Sequence, residues 1–234
     1  MNTSLVQTTV GELVRAAPIR ARVFEKLGID YCCGGKKPLA EVCAAKGLDA
    51  STVLAMLEAI DGVDAGDSPV DADAMRLGAL CDHIEAAHHG YLREELPRLD
   101  FMTRKVAAVH GDDEPRLVEI RRVFARFAPD LLAHMADEEA RVFPRIRMLD
   151  ASGGSAAARE ELKSAVDELE REHAEAGEAL ERFRELTDGY SPPEWACNTF
   201  RALYDGLARL ERDMHQHVHK ENNILFPRAI GRAA

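Results

Sequence analysis

The sequence predicts an all-α protein: a small N-terminal helical module followed by an up-down-up-down four-helix bundle. Three observations carry this. Ala, Leu, Glu and Arg are abundant while aromatic residues make up 6% of the chain, a balance that favours helices over strands. Four long stretches with helical spacing of apolar residues are separated by short breaks, the signature of antiparallel neighbours in a bundle. Finally, HMADEEARVFP and HQHVHKENNILFP repeat one arrangement with a period of 83 residues: His134 and Glu138, then His217 and Glu221, each pair followed by Phe-Pro.

Taken in order, Thr9-Val10-Gly11-Glu12 reads as a capping box that opens a short helix. Pro18 suits the first turn of a second helix, which runs to Leu27 and stops at Gly28. IDYCCGGKKP is a turn-rich connector holding Cys32 and Cys33. Two further short helices fit Leu39–Lys46 and Ser51–Ile60, the latter capped by Asp49 or Ser51. These elements make a module over residues 1–62. The Asp- and Gly-rich segment Asp61–Asp73 has little to bury, so 63–73 is expected to be a linker. The bundle then occupies 74–234. Its first helix runs from about Ala74 to Val109 and carries His89. Pro115 or Arg116 opens the second, with Pro129 and Pro144 as kink or end points. ASGGS breaks the chain before the third, about Ala156 to Leu186, which carries His173. Ser191-Pro192-Pro193-Glu194 reads as a second capping box at the start of the fourth.

Composition excludes several classes of function. The formal charge of −11 argues against nucleic acid or an anionic membrane surface as the main partner. No apolar run approaches the ~18 residues of a membrane span, and the N-terminus lacks a basic region followed by an apolar core. Five cysteines is an odd count, which speaks against a disulfide framework and for a cytoplasmic protein.

Residues i and i+4 of a helix lie on one face, so His134 with Glu138 and His217 with Glu221 can each converge on one site. His89 precedes His134 by 45 residues, and His173 precedes His217 by 44. Each half thus supplies a lone histidine and a His-x-x-x-Glu pair. Four imidazoles and two carboxylates suit a pair of iron or manganese ions; with Glu138 and Glu221 shared, the ions would sit roughly 3.5–4 Å apart. A single His-x-x-x-Glu is commonly a solvated surface pair; its duplication with matching flanks is what points to metal. His83, His88, His110, His215 and His219 lack this pattern and read as surface groups or partners of the ligands. Vicinal Cys32 and Cys33 are either small apolar fillers or, as thiolates on an exposed loop, soft ligands and redox groups. Cys43, Cys81 and Cys197 sit singly within helices and read as packing residues. Glu172 and Glu175 flank His173 and are either solvated or partners that orient a ligand or line an ion path.

DYCCGG, the two His-x-x-x-Glu-x4-Phe-Pro blocks, EHAEAGE around His173 and ENNILFPRA near the C-terminus together resemble the iron–sulfur cluster repair di-iron proteins of the ScdA and YtfE type. In these, an N-terminal ScdA-type domain precedes a hemerythrin-like HHE bundle. The resemblance covers essentially the whole chain. It implies a stress-induced non-haem centre of two Fe ions with oxo and carboxylate bridges, held by His89, His134, Glu138, His173, His217 and Glu221. Cys32 and Cys33 are the implied redox or iron-transfer pair. It also implies repair of clusters damaged by nitrosative or oxidative stress, with iron–sulfur cluster proteins as recipients and NO or O2 as small-molecule ligands. The alternatives are an NO-reducing enzyme that forms nitrous oxide, and an NO or O2 scavenger or sensor. Oxygen-carrying hemerythrins use five His, one Glu and one Asp. The four-His, two-Glu set here leaves more open coordination and speaks against oxygen transport. Monomer and homodimer both fit.

Overall fold

The computed structural model describes residues 3–61 and 70–231, and among these every regular element is a helix. The chain forms two compact units. One comprises Met1–Leu80 together with His215–Ala234, the other Cys81–Met214. Residues 62–69, most of the expected linker, lie outside the described residues.

In the first unit, α1 (Thr3–Val6), α2 (Val10–Ala16), a 3-10 turn (Pro18–Arg20), α3 (Ala21–Leu27), α4 (Leu39–Lys46) and α5 (Ala50–Asp61) follow one another. The capping box closes as its sequence demands. The Glu12 amide donates to the Thr9 hydroxyl at 3.2 Å, and the Thr9 amide to the Glu12 carboxylate at 3.1 Å. Gly28 ends α3 with φ of 63°, a conformation that costs other residues. Asp49 caps α5 by accepting from the Thr52 amide at 2.8 Å, and these local hydrogen bonds from Ser51 and Thr52 hold its carboxyl below the usual range. Leu13, Phe24, Ile29, Tyr31, Leu39 and Leu57 form the core between these helices.

The long helices start at Leu77 rather than Ala74, because the Asp71 carboxylate accepts from the amides of Asp73 and Ala74 at 3.2 Å each and keeps that turn irregular. α6 (Leu77–Ile84) passes through a π turn (Glu85–His89) into α7 (Gly90–His110). α8 (Arg116–Asp137) passes through a π turn (Glu138–Val142) into α9 (Phe143–Ser152), and α10 spans Ala156–Leu186. α11 (Asn198–Lys220) passes through a third π turn (Glu221–Leu225) into α12 (Phe226–Ile230). Pro129 is accommodated inside α8 without ending it, whereas Pro144 stands in the first turn of α9, where no backbone donor is needed. The fourth long helix begins at Asn198, not at the expected Ser191 cap. The Pro193 and Ala196 carbonyls instead accept from the Arg201 guanidinium at 3.2 and 3.0 Å, which holds the Ser191–Cys197 segment out of helical geometry.

Within the second unit, α7, α8, α10 and the start of α11 form the four-helix arrangement expected for an up-down-up-down bundle. Phe124, Phe127 and Phe183 meet at its centre with ring centroids 5.8–6.2 Å apart, and Arg184 of α10 donates to Glu211 of α11 at 2.9 Å.

Replacing Thr9 by Ala removes the cap of α2 and is expected to cost about 1 kcal/mol. Amide exchange across Val10–Ala16 measures this; unchanged protection there would show that the cap contributes nothing.

Candidate metal centre

Each of the three π turns carries a residue singled out by the sequence: His89, Glu138 and Glu221. The amide of Phe143 donates to the Glu138 carbonyl and that of Phe226 to the Glu221 carbonyl, five residues back in each case. The Phe-Pro of each repeat gives a reason. A proline inside a regular helix collides with the carbonyl four residues earlier, and a widened turn in front of it relieves that contact. No proline follows the Glu85–His89 turn closely enough to explain it.

In the second unit, three imidazoles face one carboxylate. Glu138 is fully buried. The Nε2 atoms of His134, His89 and His173 lie 3.3, 3.4 and 4.0 Å from its oxygens. The His134 and His173 Nε2 atoms are 2.9 Å apart. The outward nitrogens are held by carboxylates. His89 Nδ1 meets Glu139 Oε1 at 2.7 Å, and His134 Nδ1 meets Glu172 Oε2 at 2.6 Å. A carboxylate on Nδ1 fixes the proton there and leaves the Nε2 lone pair facing inward. Burial pushes the Glu139 carboxyl up, yet hydrogen bonds from Arg93 and His89 hold it below its usual range, so it stays an anion.

This donor set fits a transition-metal ion. Two nitrogens each about 2.1 Å from one ion at a right angle stand about 3.0 Å apart, close to the 2.9 Å separation of the His134 and His173 nitrogens. In the first unit, His217 Nε2 and Glu221 Oε1 are 3.1 Å apart, with both side chains fully buried. That reproduces the 3.3 Å pairing of His134 with Glu138 in the other repeat.

The remaining sequence candidates are placed as follows. Glu172 contacts His134 rather than its neighbour His173. Glu175 is 71% exposed, with Arg171 at 3.9 Å. Glu139 was not singled out by the sequence, because no spacing rule links it to a histidine fifty positions earlier. His88 and His219 are buried rather than on the surface: His88 Nδ1 meets Asp213 at 2.8 Å, and His219 packs edge-on to Tyr31. Desolvation in that position lowers the His219 pKa to about 4. Cys197 is exposed and precedes α11, against the expectation of a packing residue within a helix; its Sγ is 3.3 Å from His110 Nε2.

Cys32 and Cys33 also differ from thiolates on an exposed loop. Cys32 is buried and Cys33 partly so. The Cys32 Sγ is 3.9 Å from Cys33 Sγ and 3.0 Å from Asp30 Oδ1. The hydrogen bond with Cys33, then burial and the Asp30 charge, push the Cys32 thiol well above its usual range, so it is protonated at neutral pH. Asp30 shapes the loop as well, accepting from the amides of Cys32 at 2.9 Å and Gly34 at 2.8 Å.

Comparison with known proteins agrees with this geometry. Residues 81–229 match the hemerythrin HHE cation binding domain, and residues 6–61 match a domain of unknown function, DUF542. An iron–sulfur cluster repair protein ScdA of Staphylococcus haemolyticus is 34% identical over 220 residues, covering 94% of this chain and 96% of that protein. An iron–sulfur cluster repair protein YtfE of Pectobacterium atrosepticum is 37% identical over 225 residues, covering 95% and 96% respectively. A YtfE of Escherichia coli is 35% identical over 223 residues, covering 94% and 96%.

Glu139→Gln and Glu172→Gln each leave the side chain's shape but remove the anion on Nδ1. Each is expected to weaken metal binding about 10–100-fold, read by competition with a chelator. Affinity unchanged in both variants would mean that these carboxylates do not orient the imidazoles.

Proposed function

Because the chain belongs to the hemerythrin HHE cation-binding family, with the DUF542 domain ahead of it, we propose that it is a non-haem di-iron protein that repairs iron–sulfur clusters damaged by nitrosative or oxidative stress. Its proposed role is to supply or protect iron, with NO bound at the iron pair and iron–sulfur cluster proteins as recipients. The carrying observation is the buried Glu138 faced by three imidazole nitrogens. The proposed ligands are His89, His134, Glu138, His173, His217 and Glu221, with Glu138 and Glu221 bridging.

The iron pair would supply one-electron redox capacity and coordination positions for a diatomic ligand. The protein's own contribution is to hold donors in place. Glu139 and Glu172 keep the Nδ1 protons of His89 and His134 outward, and Arg93 keeps Glu139 ionised. Carboxylate and imidazole donors without thiolates suit iron held for delivery better than a permanent thiolate cage does. The cytoplasm is the proposed place of action, in keeping with five cysteines that are all free thiols. No helix among the described residues is long and apolar enough to cross a membrane.

Glu138→Ala and Glu221→Ala are each expected to lower iron content from two ions to at most one, measured by metal analysis of anaerobically loaded protein. Two irons retained by both variants would refute the bridging role. Incubation of the loaded protein with an apo-cluster protein is expected to move iron to the recipient while this chain loses it. Sustained nitrous oxide release under a reductant, with no iron transferred, would assign NO reduction instead.

A further inference from the structure

Two residues beyond Glu221, in the same π turn, Asn223 reaches into the loop that carries the two cysteines. Its Nδ2 donates to the Cys32 carbonyl at 3.1 Å and lies 3.5 Å from the Tyr31 carbonyl. The side chain fits only because two glycines leave it room. A Cβ on Gly35 would stand 2.6 Å from Asn223 Oδ1 and 2.7 Å from the Tyr31 carbonyl oxygen, and one on Gly11 2.8 Å from Asn223 Oδ1 and 2.9 Å from the Gly35 carbonyl oxygen. Neither glycine has a positive φ, so backbone conformation does not require glycine at either position; space does. The Gly11 amide donates to the Gly35 carbonyl at 2.9 Å, which fastens α2 to the loop beside Asn223.

We propose that Asn223 is a positioning residue for Glu221: it ties the π turn bearing that carboxylate to the carbonyls of the Tyr31–Cys32 step. The proposal rests on the reading of Glu221 as an iron ligand. Through this contact the cysteine loop and the ligand turn share one mechanical fate. Ordering of the turn by iron restrains the loop, and loss of the tie loosens both, since coupling between two sites acts equally in each direction. The tie uses the backbone of Cys32 and not its thiol, which meets Asp30 and Cys33 instead.

The test uses the full chain, loaded anaerobically with ferrous iron, as Asn223→Ala, Asn223→Asp and Glu221→Ala variants. Asn223→Asp keeps the shape but replaces the donor with an anion facing two carbonyls. Both Asn223 variants are expected to bind at least one iron about tenfold more weakly by chelator competition, with unchanged helicity. In the unsubstituted protein, iron is expected to slow alkylation of Cys33, followed by mass spectrometry, and in both Asn223 variants that slowing is expected to vanish. If Asn223→Asp matches the unsubstituted protein on both measures, the side chain only fills space and the proposal is overturned. Undiminished iron binding by Asn223→Ala beside iron loss in Glu221→Ala overturns the positioning role alone. Undiminished binding by Glu221→Ala removes the ligand reading, and the positioning role goes with it.

Discussion

A carboxylate taken wholly out of water needs compensation, and the groups that face Glu138 are imidazole nitrogens. An ionised carboxylate in an apolar interior costs several kcal/mol unless a cation or strong donors face it. Imidazoles whose Nδ1 atoms already donate to Glu139 and Glu172 have only a lone pair to present inward. Lone pairs facing a carboxylate repel it. The arrangement therefore becomes favourable when a cation stands between them, and metal binding contributes directly to the stability of the folded chain. The outer carboxylates, of which only Glu172 stands out in the sequence, decide which way the inner nitrogens face.

The π turns are the second constraint. A regular helix repeats its faces every 3.6 residues, so a ligand's direction is fixed by its register. One extra residue in a turn rotates everything beyond it. The insertions fall at Glu138–Val142 and Glu221–Leu225, the same place in both repeats, and Phe-Pro follows each. Proline thus shapes the surroundings of a proposed metal ligand from six residues away. The Glu85–His89 turn has no counterpart before His173, where α10 runs unbroken from Ala156 to Leu186. The duplication is closer in the His-x-x-x-Glu blocks than in the helices that carry the lone histidines.

Those features that depend on neighbouring residues were readable from the sequence. α4 and α10 have the limits their sequences announce. Gly47 closes one with φ of 66°, and Ser155 opens the other by accepting from the Ala158 amide. Helix starts decided by distant or competing contacts were misread. Arg201 holds open the segment where Ser191 and Glu194 form a capping-box pattern, and Asp71 delays the first long helix to Leu77. The same division runs through the site. Spacing identified the His-x-x-x-Glu pairs because i and i+4 are local. It gave no link between Glu139 and His89, offered Glu172 as an orienting partner beside His173 without pointing to His134, and left Cys32 open between apolar filler and exposed thiolate, since each of these depends on chain segments brought together only by folding.

Where the two repeats diverge, the difference has a structural meaning. At the period of 83 residues, Glu139 and Ala140 correspond to Asn222 and Asn223. The first block uses its extra polar residue to hold a histidine, through Glu139 and His89. The second places an amide where the first has a methyl group, and that amide meets the Cys32 carbonyl in a niche lined by Gly11 and Gly35. The stretch from His215 onward accordingly forms a compact unit with the N-terminal module. Its histidines follow suit: His215 and His219 both pack edge-on to Tyr31, which Glu25 anchors through a 3.0 Å hydrogen bond. The duplicated block thus keeps the proposed ligands and differs on the other faces of its helix, where Asn223 holds the cysteine loop.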